Sequence, residues 1–266
     1  MWNSIGFDFG DENCVFGIFR NNGVDILTNQ FSKRLTQTMV TYSQTRRYIG
    51  EEAHQQQFAN ISSTFTHLKT ILSIPFTSPI CQKLRTFLPY DLVQIGQFTG
   101  ISLNYNNETL NLYPEQCLSF LFKSLDQTLV KPILDPIGYV ISVPPSWTEL
   151  QRRSLVMTTR LSGLNLLSLL SSNTAAALTY LHQKGTKHLD EDNLILFVDV
   201  GSSSMNISLN TISSNSIKVI SYSSSSNLGG SRFDELFANY LISEVKKKYS
   251  IDPTSNKKSF IRFLES

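Results

Sequence analysis

Two short stretches of the chain repeat one arrangement of residue types. Phe7-Asp8-Phe9-Gly10 ends one apolar run, and Cys14-Val15-Phe16 begins the next. Val198-Asp199-Val200-Gly201 does the same, and Met205-Asn206-Ile207 starts the return. Each copy sets Asp-x-Gly at a predicted strand end, with a polar loop before the hairpin closes; the copies lie 191 residues apart. Such a loop has the chemistry of a phosphate site. A tight turn presents backbone N–H groups to phosphate oxygens, and glycine lets the phosphate approach closely. An aspartate beside it holds Mg²⁺ through ordered waters, because Mg²⁺ dehydrates reluctantly. Two facing loops would grip a polyphosphate from both sides. One Asp-x-Gly alone reads as a plain turn. Two in matching contexts, with Gly229-Gly230 ahead of a predicted helix start, say more.

Strands must aim these loops. Ile5–Phe9, Val15–Phe19 and Val24–Leu27 read as an antiparallel meander, with Asn21-Asn22-Gly23 as a turn. Leu194–Val198, Met205–Leu209 and Ile217–Ser221 read as a second meander, followed by a loop at Ser223–Ser226. Glu51–Leu72 has helical spacing at Phe58, Phe65, Leu68 and Leu72. Leu92–Ile95, Ile101–Tyr105 and Leu110–Leu112 look like short strands. Pro114–Val130 predicts a helix with Cys117, Phe120, Leu121, Leu125 and Leu129 on one face. Gly138–Val143 is an apolar strand ended by Pro144-Pro145. Ser146-Trp147-Thr148-Glu149 has capping-box spacing, opening a helix through Leu161 that Gly163 stops. Leu164–Leu170 then predicts a strand and Thr174–Leu181 a helix. That alternation is the pattern of a parallel sheet with right-handed crossovers. Lys184–Asn193 reads as a polar linker, Phe233–Tyr249 as a helix, and Lys258–Ser266 as the start of another.

Composition narrows the function classes. The 266 residues carry 23 Lys and Arg against 21 Asp and Glu, a net charge of +2 without basic blocks. Nucleic acid is a poor partner for such a surface. Apolar residues are 41% of the chain, enough for a real core. No apolar run reaches the ~18 residues of a membrane span, and the start has no secretory signal pattern. Cys14, Cys81 and Cys117 form no CxxC pair or disulfide framework, so a reducing, cytoplasmic setting is expected. His54, His67, His182 and His188 lack ligand spacing and read as surface or satisfied residues. Lys246-Lys247-Lys248 reads as a helix C-terminal run.

The loops resemble those of the actin, sugar kinase and 70-kDa heat-shock chaperone superfamily. More closely, the chain resembles the 110-kDa co-chaperone branch of those heat-shock proteins. The resemblance rests on Arg20–Asn29, Arg47–Glu51, Ile141–Pro145, Ser162–Asn165, Thr174–Ala177, Phe197–Gly201 and Leu228–Asp234, which run in family order. It implies an α/β, actin-like (ribonuclease H-like) ATPase fold of two lobes around a cleft, with the second lobe incomplete. Residues 1–187 would form lobe I, with an insert subdomain at about 38–111, and 190–266 a partial lobe II. ATP or ADP with Mg²⁺ would be the cofactor. By resemblance, Asp8 and Asp199 organise the metal through water, and Lys69 orients the attacking water and γ-phosphate. Gly10, Asp11, Glu12 and Asn13 form the first phosphate loop, and Gly201, Ser202, Ser203 and Ser204 the second. Gly229 and Gly230 approach the β- and γ-phosphates.

Departures from the family pattern bear on catalysis. Asp11 and Glu12 stand in a loop where hydrolysing members carry threonines, and would repel a polyphosphate at close range. Ser202 and Ser203 replace glycines. Ser172 and Asn206 replace acidic residues, and a catalytic acid or base is typically worth ~10²–10⁴ in rate. At most weak ATPase activity is expected. The family's adenosine-gripping segments lie beyond the matched region, so ATP binding by these 266 residues alone is expected to be weak. The implied function is a nucleotide-binding domain that assists a 70-kDa chaperone through nucleotide exchange and protein folding, with unfolded clients as further partners. The alternatives are an interaction scaffold that no longer binds nucleotide, and an active actin-like ATPase.

Overall fold

The computed structural model describes residues 4–20, 22–133, 135–184, 193–214, 216–255 and 257–265. The chain opens with β1 (Ser4–Phe9), β2 (Asn13–Arg20) and β3 (Gly23–Ile26), followed by β4 (Thr36–Gln37), β5 (Val40–Tyr42) and β6 (Arg47–Ile49). Next come α1 (Gly50–Gln56), β7 (Thr64–Phe65), α2 (Pro79–Phe87), β8 (Leu92–Ile95), β9 (Phe98–Tyr105) and β10 (Glu108–Leu112). The crossover region holds α3 (Pro114–Leu125), β11 (Gly138–Val143), α4 (Glu149–Ser162), β12 (Leu166–Ser171) and α5 (Ser172–Lys184). The last part is β13 (Asn193–Val200), β14 (Met205–Ser213), β15 (Ser216–Ser225), α6 (Gly230–Tyr249) and α7 (Lys257–Glu265).

The main sheet has the order β12-β11-β1-β2-β3, with β4 on β2. β1, β11 and β12 run parallel, and β1, β2 and β3 are antiparallel. This combines the predicted meander with the predicted crossovers. The later meander forms a separate sheet, β13-β14-β15. Helix α5 packs against β11 and β12 of the first sheet and against all three strands of the second, so it joins the two. Two small sheets, β6-β5-β7 and β10-β9-β8, lie between β4 and α3 in the chain.

Alternation along β1 explains the core. Ile5, Phe7 and Phe9 are buried, while Gly6 and Asp8 face out. Phe7 stacks on Phe16 at 4.2 Å between ring centroids, and Phe122 of α3 meets both Phe7 and Phe9 edge-on. The second sheet has a far smaller core, in which Ala177 and Ile212 are buried and Ile195, Phe197 and Ile217 pack around them.

Four local expectations are corrected. Glu51–Leu72 is not a continuous helix: α1 ends at Gln56, and a 3₁₀ turn, β7 and turns follow. Phe65, Leu68 and Leu72 are buried there because the core surrounds a folded loop. The helix from Pro114 changes to a π-helical turn at Asp126–Val130. The capping box of α4 belongs to Thr148 and Gln151, two residues later than Ser146 and Glu149, with Gln151 N–H on Thr148 Oγ1 at 3.3 Å. Ser223–Ser225 lie in β15, paired with β14, where a loop was read. Helix α2 gave no signal that was recognised. The linker read at Lys184–Asn193, together with His188, falls largely outside the described residues.

Candidate functional site

The two repeated loops close with the same hydrogen bond. Gly10 N–H donates to Asn13 O at 3.0 Å, and Gly201 N–H donates to Ser204 O at 2.9 Å. A side chain at Gly10 would put its Cβ 2.3 Å from Asn13 O, so the first turn needs glycine at that point.

Loop one is clamped from several directions. Thr38 donates its N–H to Glu12 O at 2.7 Å and its hydroxyl to Gly10 O at 2.9 Å. The Lys69 ammonium donates to Phe9 O. It also lies 5.4 Å from the Phe9 ring centroid and 5.8 Å from that of Trp147. Asp11 does not point outward as a loop-tip acid would. It is only 8% exposed, accepts the Thr70 N–H at 2.9 Å and meets His67 Nδ1 at 3.2 Å. Of the two acids expected to repel a polyphosphate, only Glu12 stands in solvent.

Loop two is docked on the start of α6. Gly230 N–H donates to Gly201 O and Ser231 N–H to Ser202 O, each at 2.9 Å, and Ser231 Oγ donates to Ser202 O at 2.8 Å. Gly229 makes this possible, since a Cβ there would meet Ser202 O at 2.4 Å. A Cβ at Gly230 would meet nothing closer than 3.9 Å. The first helical N–H groups of α6 are thus occupied by the neighbouring loop.

Each strand end carries a carboxylate approached by a serine hydroxyl of a neighbouring element. Asp8 accepts a hydrogen bond from Ser142 Oγ of the adjacent β11 at 2.5 Å. Asp199 lies across from Asn206 in the β13–β14 register and is approached by Ser172 Oγ at 3.5 Å. Burial pulls the Lys69 pKa below its ordinary value of 10.5. Asp11, Asp8, Cys14 and Asp199 oppose that shift, so a carboxylate of the second sheet acts on the same ammonium as those of the first. Cys14, beneath the loop, is pushed up to about 12, chiefly by burial, and stays a thiol. Asn206 is buried, with its amide oxygen accepting from Ser224 Oγ at 2.9 Å.

The donor set suits a hydrated Mg²⁺ with phosphate. Mg²⁺ of that kind takes one or two carboxylates and fills its shell with water and phosphate oxygens. Asp8 and Asp199 would hold it. Among the described residues no group of three or more His, Cys, Asp or Glu side chains forms a closed metal cage. Asn173 Nδ2, at the start of α5 beside Ser172, is a buried donor without a protein partner, which a phosphate or its water shell would satisfy. When bound, Mg²⁺ would neutralise phosphate charge. Thr38, His67, Thr70, Ser142, Asn173 and Ser231 all shape the site and were missed, since nothing in their spacing marks them. Ser142 could have been found by aligning the parallel strands, which places it opposite Asp8.

The protein-family model described as "Hsp70 protein" matches residues 4–266. The chain belongs to the Hsp70 family. Its mixed α/β architecture of several sheets is accordingly the actin-like ATPase fold of that family. Heat shock protein 88 of Dictyostelium discoideum is 34% identical over 266 residues, covering 98% of this chain and 34% of that protein. Heat shock 70 kDa protein 4 of Homo sapiens is 31% identical, covering 98% and 32%. The 97 kDa heat shock protein of Strongylocentrotus purpuratus is 30% identical, covering 98% and 30%. The chain therefore spans about a third of the length of the curated relatives it matches. Its likeness is to heat-shock chaperones of the Hsp110 and Hsp70 type, at their nucleotide-binding domain. Among the described residues no helix is long and apolar enough to cross a membrane.

Proposed function

We propose that this chain binds ATP or ADP with Mg²⁺ and serves as the nucleotide-binding part of a 110-kDa-type co-chaperone. It would assist a 70-kDa chaperone in nucleotide exchange and client folding, in the cytoplasm, with little or no hydrolysis of its own. Residues 1–187, with the insert at about 38–111, form lobe I in this reading, and 190–266 contribute to lobe II. The observation that carries it is the pair of strand-end aspartates, Asp8 and Asp199, each followed by a turn that a glycine N–H closes on the carbonyl three residues on. Gly10–Asn13, Gly201–Ser204, Gly229 and Gly230 are the assigned phosphate contacts. Asp8 and Asp199 take the metal through water.

Weak hydrolysis follows from the side chains beside Asp199. Ser172 is a hydroxyl and Asn206 a neutral, hydrogen-bonded amide. Neither can act as a carboxylate base. The test is titration with a fluorescent ATP analogue, with Mg²⁺ and with EDTA. Saturable binding that needs Mg²⁺ and is weakened by Asp199→Ala supports the reading; absence of binding removes it. The second reading, a scaffold without nucleotide, is favoured by the α6 N–H groups already held by Gly201 and Ser202 carbonyls. It predicts no binding, with partner association intact.

A further inference from the structure

A second concave site lies away from the paired loops. It is a cavity of about 220 Å³ lined by Ser73, Phe98, Thr99, Tyr113, Glu115 and Ser154. These residues come from the turn after Lys69, from β9, from the start of α3 and from α4. By volume it would hold ~7 waters.

Its polar groups are incompletely satisfied in one particular way. Ser73 and Ser154 share a hydrogen bond, and Ser73 Oγ donates to Glu115 Oε1 at 3.4 Å. The other carboxylate oxygen, Glu115 Oε2, is buried with no hydrogen-bond partner. Thr99 is 0% exposed, and its Oγ1 is likewise buried and unpartnered. An unmet buried polar atom costs about 1–3 kcal/mol, so two in one cavity mark a place that water or a polar ligand completes. Among the described residues, Glu115 is the one charged side chain lining the cavity. The unmet oxygens are a carboxylate acceptor and a hydroxyl. Phe98 and Tyr113 supply aromatic surface, and Tyr113 is half open to solvent.

We propose that this cavity binds a primary ammonium group on a short aliphatic stem. The ammonium has three donors and no acceptor. One N–H reaches Glu115 Oε2, a second reaches Thr99 Oγ1, and the third stays on water. The stem packs on Phe98 and Tyr113, whose ring faces favour a cation. An anion is repelled by Glu115, and a neutral alcohol leaves the carboxylate charge uncompensated. The ammonium could be that of a free amine or of a polypeptide lysine, and the two are separable.

The test is a titration of the full chain with n-butylamine hydrochloride near neutral pH, followed by amide NMR, with n-butanol and KCl as controls. Saturable shifts confined to Ser73, Phe98, Thr99 and Glu115 are expected with the amine, with affinity for butanol at least ~10-fold weaker. Glu115→Gln should weaken amine binding by ~10-fold or more. Thr99→Val should weaken it several-fold while raising thermal stability, because the orphaned hydroxyl is gone. Absence of saturable shifts, an equal response to amine and alcohol, or unchanged binding by Glu115→Gln would overturn the site and leave a water-filled void. Should that variant fail to fold, the amine-against-alcohol comparison on the unsubstituted chain decides alone. Nα-acetyl-lysine amide identifies the source. Affinity equal to butylamine supports a polypeptide lysine, and much weaker affinity supports a free amine.

Discussion

The Asp11 carboxylate and the Thr70 backbone N–H lie 2.9 Å apart, joining the first phosphate-type loop to the turn that carries Lys69. Burial works against the charge on Asp11, but the His67 hydrogen bond and charge, Thr70 and Lys69 outweigh it, and its pKa falls below 3.8. Burial likewise opposes the charge on His67, and Asp11 and Glu12 outweigh it, raising its pKa above 6.5. The stabilisation from Asp11 is present above 3.8 and is lost as pH falls through its lowered native pKa. That from His67 is complete below 6.5 and is lost as pH rises through its raised native pKa. The pair therefore stabilises most between those two values. Urea unfolding across pH should show a decline on the alkaline side that His67→Gln flattens. Asp11→Ala should cost about 1–3 kcal/mol at neutral pH, because the Thr70 N–H loses its acceptor.

Hydrolysis should be marginal. Ser172 and Asn206 flank Asp199 without offering a base, and loss of one typically costs ~10²–10⁴ in rate. A steady-state phosphate-release assay checks this. Robust Mg²⁺-dependent turnover that Asp199→Ala abolishes would contradict it.

Lys83 of α2 and Glu235 of α6 form an ion pair at 2.6 Å, and Arg232 holds the same carboxylate at 2.8 Å. The pair bridges α2 and α6. It is partly exposed, so Lys83→Ala should cost less than ~1 kcal/mol, and the cost should shrink in high salt. A double-mutant cycle with Glu235→Gln, read by urea unfolding, measures it. A coupling well above that, insensitive to salt, would show that the pair is not screened.

The second sheet should open before the first. Leu194, Leu196, Val198 and Val200 are 56–65% exposed along one face of β13, and the apolar cluster buried on that sheet is Ala177 with Ile212, the buried Asn206, Ser208 and Asn210 of β14 being polar. Few buried apolar contacts mean low local stability. Hydrogen exchange should therefore run faster in β13 and β15 than in β1 and β11. Equal protection in the two sheets would refute this.

Much of the fold was legible because the strands are apolar and their ends carry Asp-x-Gly. Alternation in Ile5–Phe9 and the Gly163 stop, at φ 77°, were readable directly. The Glu51–Leu72 segment was not. His67 at φ 53° and Ser73 at φ 52° bend the chain where its sequence carries no glycine, so buried residues recur at helical spacing without a helix. The serines of β15 misled in the other direction. Serine favours turns locally, yet backbone pairing with β14 holds Ser223–Ser225 extended. At the site, strand-end aspartates were visible, but the inward turn of Asp11 depends on residues 56 and 59 positions away.

The matched closures at Gly10–Asn13 and Gly201–Ser204 use backbone atoms alone. The side chains at 12, 202 and 203 take no part in these closures, while Asp11 adds a separate tie from the first loop to Thr70 and His67. Chemistry at these tips can therefore drift while the hairpins keep their form, as the acids of one loop and the serines of the other illustrate. Ancestry is written in the main chain here and activity in the side chains, and the two can part company without unfolding the protein.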